Sequence, residues 1–133
     1  MKVLIDTNVL LDFFFKRDPK RYAKDVITRV GTDFIGAITV SQVKDVFYIL
    51  RKEEKQLVID YITTLTNLFE VIDVKKLDLT RALKSEMEDI EDAILAFAAS
   101  RNKCMFIVSR NIKDFANAPI KVLSPEEFLK QIS

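Results

Sequence analysis

Histidine is absent from this 133-residue chain, and with it the usual proton acceptor at neutral pH. Chemistry at that pH falls to carboxylates. Glycine occurs twice and proline three times, which predicts short connections, plentiful helices and no linker or loose tail. The single cysteine, Cys104, excludes an internal disulfide. It stands in the apolar stretch Cys104–Val108, where a thiol behaves as a small buried hydrophobe, and a reducing cytoplasm suits it. The opening apolar run Val3–Ile5 is far shorter than the roughly 7 to 15 residues of a signal-peptide core. No run approaches the roughly 18 apolar residues that cross a membrane, so a soluble, unexported protein with no membrane segment is expected. There is no glycine-rich phosphate loop, which argues against a nucleotide triphosphatase. Neither sign of charge is in excess: 21 basic residues face 20 acidic ones for a net charge of +1, less basic than a constitutive, tight nucleic-acid binder.

What is present is apolar and alternating. Hydrophobic residues make up 49% of the chain, enough at this length for one domain, residues 1–133, with a real core. Residues 2–6 read as a buried parallel strand, followed by a helix capped by Thr7 or Asn8 and carrying Val9, Leu10, Phe13 and Phe14. A second helix runs to about Val30 with Gly31 as its stop. Strand two is 34–38. Helices follow to about Lys52 and over 53–68, then a third strand over 69–74. Helices near 78–87 and 90–102, strands near 105–109 and 120–123, and a final helix opened by Ser124–Glu127 complete the order. This alternation predicts a three-layer α/β/α sandwich, Rossmann-like, around a mostly parallel sheet. Sites in such sheets lie beyond the carboxyl ends of the strands.

Four carboxylates are placed to meet at such an edge. Asp6 directly follows strand one, Asp92 opens a helix, Asp114 follows the fourth strand, and Asp45 lies within a helix. Carboxylate oxygens are hard ligands suited to Mg²⁺ or Mn²⁺. Asp6 has an ordinary alternative as a local turn acceptor. On the helix after Asp89, Ile90, Ala93, Ile94, Leu95, Phe97 and Ala98 cover most of the circumference, as in a buried helix. Asp92, Ala96 and Ala99 share the remaining arc, which suggests a carboxylate in a crevice. Asp89 reads equally as a cap or as an auxiliary ligand. A helical wheel sets Val43, Val46, Phe47 and Leu50 on one face and Asp45 nearly opposite, so periodicity alone leaves Asp45 solvated. Ser109 and Asn111 are candidate hydrogen-bond donors to an attacking water or a phosphate, or ordinary turn residues.

The segments Leu4–Asp12, Ser41–Lys52, Asp89–Ala93 and Val108–Phe115 resemble, in order, the successive motifs of the PIN domain family. The resemblance is closest to its VapC-like toxin ribonucleases, in a bacterial branch with Asp at the second acidic position. It implies Asp6, Asp45, Asp92 and Asp114 as catalytic acids, with Asp6, Asp92, Asp114 and Asp89 around the metal and Asn8, Ser109 and Asn111 in support. Asn111 stands where many relatives carry Asp, which leaves open one ion or two. The implied activity is Mg²⁺- or Mn²⁺-dependent endoribonuclease, leaving 5′-phosphate ends by water attack. The implied partners are an RNA substrate, a cognate antitoxin and a second copy of the chain. An inactive PIN-like domain that binds RNA or protein is the alternative. A haloacid-dehalogenase-like phosphotransferase needs an acid where Asn8 stands, and the order of acids does not fit a receiver domain. Lys16–Lys24 and Arg51–Lys55 are basic stretches, either backbone-binding or simply solvated. Phe13, Phe14 and Phe15 exceed what a core needs, which suggests a partner surface.

Overall fold

The computed structural model describes residues 1–133. Five strands, β1 (Lys2–Ile5), β2 (Ile35–Thr39), β3 (Glu70–Ile72), β4 (Phe106–Val108) and β5 (Lys121–Leu123), form one sheet in the order β3-β2-β1-β4-β5. Every pairing is parallel. Seven helices cross over between them: α1 (Thr7–Phe15), α2 (Tyr22–Thr28), α3 (Val40–Ile49), α4 (Lys55–Leu68), α5 (Lys76–Lys84), α6 (Ile90–Arg101) and α7 (Pro125–Ile132). The expected sandwich is therefore present, with the sheet parallel throughout.

β1 is central, and the chain winds outward from it on both sides. Its carboxyl end is thus the point where strand order reverses, the place where open α/β sheets bind ligands. The register aligns Ile5 with Val108, and the Asp6 amide donates to the Val108 carbonyl at 2.9 Å. The residues after β1 and after β4 are neighbours for that reason.

Alternation along β1 divides the interior. Val3 and Ile5 join the larger core, with Val9, Leu10, Val46, Leu65 and Phe128. Leu4 joins a smaller one with Ala37, Ile107 and the alanines of α6. Phe13, Phe14 and Phe15 all pack against the larger core, and Phe14 stacks on Tyr61 at 4.7 Å. All three remain partly exposed. Gly36 in β2 is required by space, since a Cβ there would lie 2.7 Å from Val30 and 2.8 Å from Phe69.

Two sequence expectations shift. α6 buries Ala93, Ala96, Ala98 and Ala99, while Ile90 is exposed and Ile94, Leu95 and Phe97 are only partly buried. Small side chains let this helix lie close to the sheet, so the arc that Asp92 shares with Ala96 and Ala99 faces inward. The helix expected near 78–87 spans Lys76–Lys84, begun two residues earlier because Asp78 accepts from the Lys75 amide at 2.8 Å. Asp78 is fully buried and takes Arg101 through Nε at 3.0 Å and Nη2 at 2.9 Å, which clamps α5 to α6.

Candidate active site

Asp6 ends β1 and is itself the N-cap of α1. Its Oδ1 accepts from the Thr7 amide at 2.8 Å, so the local-turn reading and the site reading describe one residue. Asn8, expected as a cap, stands inside the first turn instead. It bridges outward: its Nδ2 donates to Asp6 Oδ2 and to Ser109 Oγ, both at 3.3 Å, and its Oδ1 accepts from the Arg110 amide at 3.2 Å. Ser109 is fully buried and donates to Asp6 Oδ2 at 2.7 Å. That hydroxyl orients the Asp6 carboxylate. Asn111 presents its amide N–H to Ser109 Oγ at 3.0 Å, and its side chain stays at the surface.

Asp114 acts on both Asp6 and Asp92, and Asp6 acts on Asp92. Burial is the largest influence on Asp6 and lifts its carboxyl above the usual value; the hydrogen bonds from Ser109 and Thr7 oppose this, Asp114 adds to it, and Arg110 opposes it. Asp92 is pushed up to about 7, first by burial and then by Asp89, Asp6, Asp114 and Glu91. Charge has been gathered at the sheet edge with little to balance it. Asp89 accepts from the Asp92 amide at 3.0 Å, so it caps α6. With Asp114, Glu86, Glu88 and Lys113 it also lines an open cavity of about 420 Å³. Asp114 itself sits exposed in a 3₁₀ turn, Ile112–Phe115.

Asp45 is not brought to this group. It is exposed on α3, whose buried side carries Gln42, Val46 and Leu50, and it exerts no resolved influence on Asp6 or Asp92. The side chain of α3 that does reach the edge is Gln42. Buried, it donates to the Ile5 carbonyl at 2.7 Å and accepts from the Thr39 amide at 2.9 Å. Its signal in the sequence is the capping box Thr39-x-x-Gln42.

The donor set suits a hard cation. No three acids stand close enough together to enclose an ion by themselves, but Mg²⁺ retains several waters and is typically held by one or two carboxylates together with substrate phosphate. An open group of carboxylates, one of them raised by burial and then by its neighbours, fits that coordination. The chemistry available is hydrolysis of a phosphate ester by an ion-activated water.

Comparison with known proteins bears on the fold and the family. The chain is 28% identical over 137 residues to "Ribonuclease VapC1" of Aquifex aeolicus, covering 98% of this chain and 94% of that one. A toxin–antitoxin complex from Klebsiella pneumoniae superposes with a TM-score of 0.69 at 26% identity, covering 92% of this chain and 97% of its counterpart. VapBC2 of Rickettsia felis, solved bound to a promoter DNA fragment, gives 0.73 at 17% identity over 93% and 98% of the two chains. The sequence model of the PIN domain matches residues 2–113, and the chain belongs to the PIN domain family.

Proposed function

We propose that this chain is a divalent-metal-dependent endoribonuclease, the toxin of a toxin–antitoxin pair. The observation that carries the reading is the convergence of Asp6, Asp92 and Asp114 on the carboxyl edge of β1 and β4, where burial first and then the surrounding acids raise the Asp92 carboxyl to about 7. The relative from Aquifex aeolicus, a ribonuclease by name and matched over nearly its whole length, supports the same reaction. The crystallised toxin–antitoxin complexes support an inhibitory partner. No helix is long and apolar enough to cross a membrane, in keeping with a cytoplasmic toxin. A homodimer fits the exposed Phe47, Tyr48 and Leu57 of α3 and α4.

Asp6, Asp92 and Asp114 would hold Mg²⁺ or Mn²⁺, with Asp89 at the margin. When bound, such an ion lowers the pKa of its water and offsets the charge of the phosphodiester. The chain supplies the rest. Ser109, Asn8 and the Thr7 amide fix the Asp6 carboxylate, and Gln42 fastens the start of α3 to the end of β1. Asp92 presents its carboxylate from the first turn of α6, where the helix dipole favours negative charge. Asp45 retains a role only if α3 turns toward the edge when RNA or metal binds.

End-labelled single-stranded RNA incubated with Mn²⁺, with Mg²⁺ and with chelator tests the reading. Metal-dependent cutting to 5′-phosphate products, lost on Asp6→Asn, is the expected result. Absence of both Mn²⁺ binding and cleavage would leave a binding module on a PIN fold.

A further inference from the structure

A second cavity of about 400 Å³, which shares no lining residue with the one already described, is bounded by Asp12, Arg17, Asp18, Tyr22, Arg110 and Glu126 among others. At its rim a single carboxylate holds two guanidinium groups. Asp12, on α1, is 8% exposed. Its Oδ1 accepts from Arg17 Nε at 3.1 Å and Nη2 at 3.0 Å, and its Oδ2 accepts from Arg110 Nε at 2.9 Å.

Each guanidinium is fixed on one edge and open on the other. The side chains of Arg17 and Arg110 are 49% and 55% exposed, and Arg110 keeps both of its Nη groups unengaged. Arg17 is steadied further by the Phe15 ring, 5.2 Å from its guanidinium carbon, and by the turn that ends α1, in which Lys16 is left-handed and the Arg17 amide returns to the Asp12 carbonyl at 3.0 Å. The two other acids of the lining are engaged elsewhere: Asp18 accepts from the Lys20 and Ala23 amides at 3.0 and 2.8 Å, and Glu126 pairs with Lys130 at 3.6 Å, which leaves the outer edges of both guanidinium groups free.

The position of Arg110 gives this arrangement its use. It follows Ser109, whose hydroxyl orients Asp6, and its own amide is tied to Asn8. A group bound by Arg110 therefore lies immediately beside the site of cutting. If the pair merely joined α1 to the loop after β4, one arginine would satisfy the Asp12 carboxylate. The second adds a guanidinium whose two Nη groups the fold leaves without a partner.

We propose that Arg110, with Arg17, is a phosphate clamp that grips the RNA backbone one nucleotide from the scissile bond, with the adjoining nucleotide entering the cavity beside Tyr22. A planar guanidinium with a free edge matches two phosphate oxygens at once. The cavity volume lies in the range of small-ligand sites, and an aromatic wall suits an unstacked base. The clamp rests on the ribonuclease reading above, and it adds a binding role to residues outside the acidic group.

The test uses the full chain and one labelled single-stranded RNA. Binding is measured by fluorescence anisotropy in chelator, where nothing is cut, and cleavage is measured with Mn²⁺, each over a range of salt. Arg110→Ala is expected to raise both Kd and KM about tenfold with kcat within about threefold of wild type. It should also lower the slope of log Kd against log salt by about one, the signature of a lost phosphate contact. Arg110→Lys should recover only part of the loss, because an ammonium cannot fork. Arg29→Ala, which removes a side chain that makes only a surface pair with Asp33 beside the amino end of β2, at the opposite edge of the sheet, should change neither quantity. Circular dichroism of each variant separates a binding defect from a folding one. Wild-type affinity and salt slope in Arg110→Ala, or a fall in kcat at constant KM, would overturn the clamp while leaving the nuclease intact. A wild-type protein that neither binds nor cuts RNA would overturn both.

Discussion

Replacing Asp92 by asparagine is expected to stabilise the metal-free protein while abolishing its response to metal. Burial and the surrounding acids raise the Asp92 carboxyl from its ordinary 3.8 to about 7, so the folded chain keeps this proton to a higher pH than the unfolded chain does. Between about pH 4 and pH 7, unfolding releases the proton, and raising the pH favours the unfolded state. The penalty is absent below the unfolded value and complete above about 7. Taken at face value, a shift of this size is about 4 kcal/mol. Asp92 is only partly buried, and solvent screening reduces the figure to about 1–2 kcal/mol. Loss of a favourable charge at the start of α6 returns up to about 1 kcal/mol of that. A net gain of about 1 kcal/mol shifts the melting temperature of a domain this size by about 3–5 °C. Thermal unfolding followed by circular dichroism in chelator, from pH 4 to pH 8, should therefore show Asp92→Asn melting higher than wild type at pH 8 and the two converging at pH 4. Adding Mn²⁺ at a hundred times its Kd should raise wild type by about 2.7 kcal/mol and leave the variant nearly unmoved. Equal or lower stability of the variant at pH 8, or a difference that grows toward acid, would refute the idea that this carboxylate is held against its own preference.

Three further substitutions probe the frame around the site. Gly36→Ala places a methyl within 2.8 Å of Val30 and Phe69 and should cost about 1–3 kcal/mol by overpacking, read as a lower urea midpoint. Gln42→Ala strips the Ile5 carbonyl and the Thr39 amide of buried partners. It should cost about 1–3 kcal/mol and lower kcat more than it raises KM, measured by steady-state cleavage. Arg101→Met leaves Asp78 fully buried without its cation; a loss of about 3–5 kcal/mol is expected in denaturant unfolding, and the double change Arg101→Met with Asp78→Leu should restore much of it.

Asp6 is legible in the sequence because three consecutive apolar residues deliver it to a sheet edge, and no side chain elsewhere is needed to say so. Asp92 is legible through the small residues on its arc, although the inward face of α6 is set by alanine, whose value lies in allowing close approach rather than in its own apolar area. The helical wheel of α3 places Asp45 in solvent, where the structure has it, whereas the motif resemblance draws it toward the metal. Periodicity carries no information about Gln42, since its burial depends on β1 and β2 being neighbours. The grip of Asp12 on Arg110 is still less visible. It joins opposite ends of the chain, and only the pairing of β1 with β4 brings them together.

The central place of β1 also sets a schedule. On the ribosome, β1 and β2 can pair as soon as both have emerged, but the cleft at their carboxyl end has one wall until β4 arrives, some way into the last third of the chain. At roughly 5–20 residues per second, Asp6 spends several seconds without Ser109 to orient it and without Asp114 opposite. A nascent chain thus cannot assemble this cleft until β4 has emerged.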